Sequence, residues 1–273
     1  MDRSISRYGT ILSQGNEGDC GEAKQPERRV GSSGIANTLA ILVHSDRELG
    51  YQQIQSRCIW ITDISREYPA AQIDGFDISF DQCPHPQSLP HNTSLRSVDI
   101  YQPLPEDLYG VYDIIHLRLF LVVIRNDDPV PVLSNLVKML KPGGWIQWAE
   151  HNLESWSVKS IGNVKASAMQ TMRDMMVDTG LGRWVPRLPD YFSQQELVEV
   201  RKDLYPITPH SRLFWSQLQF NSNEEYSYLG MDNSTANSAG PKFRSLIAQA
   251  GDEGRNGAAF DFTLEVTIGR KAL

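Results

Sequence analysis

"SRCIWITDISREYPAAQIDGFDIS", residues 56–79, decides the fold. Its first half places Ile61, Ile64 and Tyr68 on one face of a helix. Pro69 ends that helix, because proline disfavours helical geometry in the residue before it. Its second half, "AQIDGFDIS" (71–79), reads as a short strand with Asp77 near its C-terminal end. A helix followed at once by a strand tipped with an acid reads as part of an α/β unit.

The rest of the chain extends the alternation. "LRSVDIY" (95–101) is a further strand and "YDIIHLRLFLVVI" (112–124) an apolar, β-branched run suited to a strand buried on both faces. "DDPVPVLSNLVKML" (127–140) carries proline near its start, then Val132, Leu136 and Leu140 at helical spacing. "KPGG" closes that helix, and "WIQWAEHN" (145–152) is another strand. Past residue 155 the pattern predicts a helix over "VKASAMQTMRDMMVDTGL", a loop over "GRWVPRLPDYFS" and a short helix over "QQELVEV". A polar segment rich in Asn and Ser follows, then a helix over "PKFRSLIAQAG" and an alternating strand over "AAFDFTLEVTIGRKA". Strands alternating with helices predict a mostly parallel sheet with helices on both faces and ligands at the carboxyl ends of the strands. Asp77, Asp99, His116, Glu150 and His151 all fall near such ends.

Residues 1–55 are poorly patterned, so the domain is expected over 56–273. Within the first segment, "IANTLAILVH" (35–44) reads as one short buried helix, and "SDRELGYQQIQS" offers few apolar positions for a core element.

With 273 residues and 40% apolar content, the chain can bury a sizeable core. A net charge of −7 gives no basic footprint for nucleic acid or an anionic membrane. No apolar stretch approaches the length of a membrane span, and the N-terminus lacks the apolar core of a signal peptide. The three cysteines, Cys20, Cys58 and Cys83, are odd in number and widely spaced; they fit neither a disulfide framework nor a metal site, and are expected as reduced thiols. Together these features predict a cytoplasmic protein with no metal, no nucleic-acid partner and no membrane partner.

"REYPAAQIDGFDIS", "YDIIHLRLF" and "LVKMLKPGGWIQWAEH" resemble the nucleotide-binding half of class I S-adenosylmethionine-dependent methyltransferases, above all those of fungal secondary-metabolite pathways. The resemblance implies a Rossmann-like fold with an antiparallel last strand, S-adenosyl-L-methionine as cofactor, and transfer of a methyl group to O or N of a small-molecule partner. It also assigns roles by position. Asp77 would accept hydrogen bonds from the ribose hydroxyls and Asp99 from the adenine amino group. Ile78 and Ile100 would flank the adenine ring, and His116 would stand near the methionyl end. His151, just past the fifth strand, is the candidate catalytic base or substrate-orienting group.

One motif of the family is missing from its expected place. A glycine-rich turn normally precedes the ribose acid by about 20 residues. Asp77 lies 19 residues after Cys58, where the chain reads "QQIQSRC" without glycine. "VGSSG" (30–34) has spaced glycines, but far upstream. A chain without that turn is expected to bind the cofactor weakly. The alternative is a degenerate methyltransferase-fold protein, a regulatory partner or a cyclase that uses the cavity without methyl transfer. A nicotinamide-dependent reductase would need the same glycine turn and a Tyr-x-x-x-Lys pair that is not present.

Overall fold

A computed structural model describes residues 38–42, 57–80, 83–232 and 239–273. Seven strands form one sheet: β1 (Thr38–Leu42), β2 (Gln72–Asp77), β3 (Thr93–Ser97), β4 (Tyr112–Arg118), β5 (Leu140–Ser160), β6 (Leu197–Pro206) and β7 (Ala258–Lys271). Their spatial order is β3-β2-β1-β4-β5-β7-β6. The first five are parallel, and β7 runs antiparallel to both β5 and β6. The expected Rossmann-like sheet with an antiparallel last strand is the sheet observed. No helix among the described residues is long and apolar enough to cross a membrane.

Alternation along the strands decides which helix covers which face. In β1, Leu39 and Ile41 point one way and Ala40 the other. Leu39, Ile41, Ile73 and Ile114 pack against Ile61 and Ile64 of α1 (Arg57–Glu67). Ala40, Phe76, Ile115, Leu117 and Trp148 pack on the opposite face against α2 (Val130–Met139) and α4 (Leu188–Gln194). The extended ends of β5 and β7 carry a separate core with α3 (Ser167–Asp178), α5 (Arg212–Leu229) and α6 (Ala239–Arg255). At the opposite end of the sheet, Asp113 Oδ2 accepts from Thr38 N–H (3.0 Å), Thr38 Oγ1 (2.7 Å) and Lys141 Nζ (2.9 Å), tying together β1, β4 and the start of β5. Gly144 lets this start turn tightly: a Cβ there would stand 3.0 Å from both Lys141 O and Tyr112 O.

Several expectations are corrected. The short buried helix placed over 35–44 is β1, the strand between β2 and β4, although it falls within the segment read as poorly patterned. Five apolar-rich residues do not distinguish strand from helix by periodicity. β3 ends at Ser97, so Asp99 follows it rather than belonging to it. The run from Tyr112 stops being strand after Arg118, because Leu119 takes a left-handed φ of 58°. The loop placed over 182–193 contains most of α4, and the helix placed over 194–200 gives way to β6, where Glu196 (φ 60°) and Glu199 (φ 53°) leave helical geometry. The polar segment after it contains the eighteen-residue α5. Its buried face includes Ser216, Gln219, Ser222, Asn223 and Ser227, so it shows no apolar stripe to read. Finally, Cys83 is disulfide-bonded rather than a reduced thiol. "VGSSG", "SDRELGYQQIQS" and "QQIQS" lie outside the described residues.

The turn from α1 into β2 is held by one side chain. Asn92 is buried, and its Nδ2 donates to the carbonyls of Ser65 (3.2 Å), Tyr68 (3.2 Å) and Ala71 (2.9 Å). These are carbonyls left over at and after a helix C-terminus. Asn92-Thr93-Ser94 matches a glycosylation sequon, and the same burial makes Asn92 a poor glycan acceptor. Asn92→Ala is expected to lower unfolding stability by roughly 2–3 kcal/mol, from lost hydrogen bonds and orphaned carbonyls. Urea denaturation checks this, and a change within about 0.5 kcal/mol would show that the turn holds without the amide.

Candidate active site

The C-terminal ends of the strands carry three groups of side chains. The first sits at β2 and β3. Asp77 is the last residue of β2 and is buried; Ser79 N–H donates to its Oδ1 at 3.1 Å. Val98 N–H donates to Asp77 O at 2.9 Å, and Ser97 Oγ to Ile78 O at 3.2 Å, which locks the ends of β2 and β3 side by side. Ile78, next to the buried carboxylate, is 43% exposed. Asp99 caps its own turn: Oδ1 accepts from Tyr101 N–H at 2.9 Å, and Oδ2 from Gln102 Nε2 at 3.4 Å. The Ile100 side chain is part of the core on the α2 face, and its carbonyl accepts from Asn135 Nδ2 at 2.8 Å. The structure thus brings Asp77, Ile78 and Asp99 together at one edge and turns Ile100 inward.

The second group is central. His116 in β4 is buried, stacks on Trp60 of α1 (centroids 4.2 Å apart, 29° between planes), and meets Gln147 Nε2 of β5 through Nδ1 at 3.1 Å. Burial, with some help from Arg118, pushes its pKa down to about 3, so the ring is neutral near pH 7. Trp60 covers it, which the sequence did not suggest.

The third group lies where β4 and β5 end together, Arg118 pairing with Ala149. Glu150 is fully buried. Its Oε1 accepts from Phe120 N–H at 2.5 Å and from Trp148 Nε1 at 2.8 Å. Burial outweighs these hydrogen bonds and pushes its pKa up to about 8. His151 points to the other face, among Phe262 (4.6 Å), Trp215 (5.5 Å) and Trp156 (5.9 Å). Burial, with some help from Arg118, holds it at about 3. A histidine so hard to protonate is a weak general base and a good neutral hydrogen-bonding group. The Arg118 guanidinium lies over the Trp215 ring, 5.5 Å from its centroid. Ser216 Oγ accepts from Phe260 N–H (2.9 Å) and Arg212 pairs with Asp261 (2.6 Å), which pins the start of α5, and so Trp215, to β7.

Sequence reading missed Arg118, Trp156, Trp215 and Phe262 as site residues. A signal existed for Arg118: it is the one formal charge between Ile114 and Ile124, inside an apolar run. Trp215 gave no such signal, since its helix has no apolar stripe.

S-adenosylmethionine can be tested against these residues. At the β2–β3 edge a buried strand-end carboxylate stands beside an exposed apolar side chain, Ile78, and these suit a ribose and one face of an adenine. The adenosine half fits. The carboxylate half would fall to the connection between β1 and α1, residues 43–56, which lies outside the described residues and contains one glycine, Gly50.

The buried titrating groups make a pH prediction. The folded pKa of Glu150, raised above that of the unfolded chain, gives a contribution that is complete below about pH 4.5 and lost as pH rises through about 8. The depressed values of His116 and His151 act the other way, their contribution being lost as pH falls from about 6.5 toward 3. Glu150→Gln is therefore expected to flatten the decline of stability between pH 5 and 8 while leaving the acid limb in place. Thermal melts of both proteins across that range check it, and identical slopes would remove the buried proton from Glu150.

No family model matches the chain. A methyltransferase of a Penicillium species, grgD, is 36% identical over 105 residues, covering 38% of this chain and 35% of the relative. The N-methyltransferase tcpN of Claviceps purpurea is 30% identical over 160 residues, 54% of each chain. The chain thus spans between a third and about half the length of these curated relatives. A SAM-dependent methyltransferase from Archaeoglobus fulgidus superposes with a TM-score of 0.47 at 11% identity, over 98% of this chain and 92% of that one. In sequence the chain is similar to fungal methyltransferases, and its sheet is Rossmann-like with an antiparallel last strand.

Proposed function

We propose that the chain is a S-adenosylmethionine-dependent methyltransferase acting on O or N of a small molecule of fungal secondary metabolism. One observation carries the proposal: buried Asp77 ends β2 at the carboxyl edge of a β3-β2-β1-β4-β5-β7-β6 sheet, beside exposed Ile78. The relatives named as methyltransferases support it. In this reading Asp77 accepts from the ribose hydroxyls, and Ile78 covers one adenine face. His116 stands toward the methionyl end as a neutral ring, and Asp99 contributes what acceptor capacity its turn leaves. The bound cofactor supplies a methyl group already activated as a sulfonium. The chain's own task is to hold the nucleophile in line with it and exclude water, which is catalysis by proximity. His151 and the aromatic rings around it stand where the acceptor approaches, at the ends of β4 and β5. The proposed setting is the cytoplasm.

The test is binding first. The β1–α1 connection, residues 43–56, offers a single glycine, Gly50, for a tight turn against the methionine carboxylate. The dissociation constant for S-adenosylhomocysteine is therefore expected no better than high micromolar, weaker than about −6 kcal/mol. Asp77→Ala should weaken it by a further 1.5–3 kcal/mol or so, the loss of charge-assisted hydrogen bonds. Ligand-detected NMR reaches this range. Equal affinity of wild type and variant would take Asp77 out of the site. No binding at millimolar cofactor would favour the fold acting without methyl transfer, as a regulatory partner or a cyclase. Low-micromolar binding would show that the glycine turn is dispensable.

A further inference from the structure

The buried polar atoms of the third group without a hydrogen-bond partner among the described residues include His151 Nε2 and Trp156 Nε1, both in the aromatic cluster, and Glu150 Oε2 on the other face. The His151 and Trp156 side chains are more than nine-tenths buried, and their rings are 5.9 Å apart in one aromatic cluster. A buried donor or acceptor left unsatisfied is costly, and proteins pair nearly all of them. Two such atoms in one aromatic cluster, on the strand that continues past the end of β4, can be met by one polar group from outside the fold.

The chemistry of that group follows from the donors. An indole N–H only donates, so the group facing Trp156 is an acceptor. His151 Nε2 accepts or donates according to its tautomer. A hydroxyl satisfies the pair in either case, and a carbonyl oxygen does so when His151 Nε2 carries the proton. A protonated amine has no lone pair and cannot meet Trp156. The charges agree. Arg118 is the cation beside the cluster, over the Trp215 ring. The carboxylates on neighbouring β7 are already paired, Asp261 with Arg212 (2.6 Å) and Glu265 with Lys202 (2.9 Å). No carboxylate there is left to receive an ammonium, and the Trp215 face most favourable to a cation is taken. The remaining surfaces, Phe262 and Trp215 at 4.6 and 5.5 Å from His151, suit a flat ring.

We propose that His151, Trp156, Trp215, Phe262 and Arg118 form the acceptor-recognition site, and that it takes a planar, neutral or anionic molecule by an oxygen atom, against protonated amines. This deepens the methyltransferase reading and rests on it for the word acceptor. The oxygen recognised here orients the molecule; the atom that is methylated is a separate matter.

The experiment uses the full chain without cofactor, two probes and calorimetry at pH 7. 1-Naphthol presents a flat ring and a hydroxyl, and 1-naphthylmethylamine the same ring and an ammonium. Naphthol is expected to bind at least tenfold more tightly. Trp156→Phe and His151→Phe are each expected to weaken naphthol binding five- to tenfold. The thermal midpoint of Trp156→Phe should be unchanged or raised, because the substitution removes an unsatisfied N–H; a purely structural tryptophan would instead lower it. Arg118→Gln should cut the preference over the amine below threefold. Amine binding as tight as naphthol, no naphthol binding by the wild type, or naphthol binding untouched in both aromatic-cluster variants would each overturn the proposal. The S-adenosylhomocysteine titration is independent of these probes, so failure of the cofactor reading and failure of this site are told apart.

Discussion

The turn that ends β4 at the active end of the sheet hangs from one buried carboxyl. Glu150 is fully enclosed, and through Oε1 it takes both the Phe120 amide and the Trp148 indole. The Phe120 amide belongs to a backbone that has just turned through Leu119 at φ 58°, a conformation that non-glycine residues rarely adopt. Such a residue costs of order 1–3 kcal/mol and persists only where its surroundings over-determine it. Here the determinants are Glu150, the Leu119 N–H to Ala149 O bond at 3.0 Å, and the edge-to-face contact of Phe120 with Trp148. The turn ends β4 at Arg118 and so fixes where that guanidinium begins. A carboxyl held protonated near pH 7 does this without leaving a buried charge.

The same burial acts on the two histidines with the opposite sign. His116 and His151 are both kept neutral, and both are placed by ring contacts more than by hydrogen bonds. Where β4 and β5 end, the described residues thus place a protonated acid, two neutral imidazoles and the Arg118 guanidinium. A site of that kind is suited to orienting a substrate and poorly suited to strong base catalysis at neutral pH. For a reaction whose donor already carries an activated methyl group, orientation is the larger requirement.

How much of this was legible in sequence depended on whether burial had left a periodic trace. β2 with its terminal Asp77, the body of β4, α2 with Val132 and Leu136, and β7 with Phe260 to Val266 all bury apolar residues at the spacing of their element, and all were read correctly. β1 was too short to show a period, and α5 buries serines, Asn223 and Gln219, so its inward face looked like a polar segment. β6 lies at the sheet edge with few buried positions, which removes the alternation a strand is known by. The site divides in the same way. Asp77, Asp99 and His116 could be named because motifs fix their distance from strand ends. Trp215 and Trp156 reach His151 from elements far apart in the chain, and only the folded packing brings them together.

β4 is the ruler that joins the two halves. Residues two apart on a strand share a face and stand about 7 Å apart along it. His116, under Trp60, looks toward α1 and the β2 edge where Asp77 ends; Arg118, two residues on, looks toward Trp215 and the cluster around His151. In the proposed reading, the spacing of one pleat separates the nucleotide-side His116 from the acceptor-side Arg118. Because β4 is paired on one side with β1 and on the other with β5, neither residue can shift without breaking a ladder. If the cluster does receive the acceptor, substrate range can change through α5 and the β5–β7 extension, which carry Trp215, Trp156 and Phe262, while the strand that spaces the two halves stays as it is.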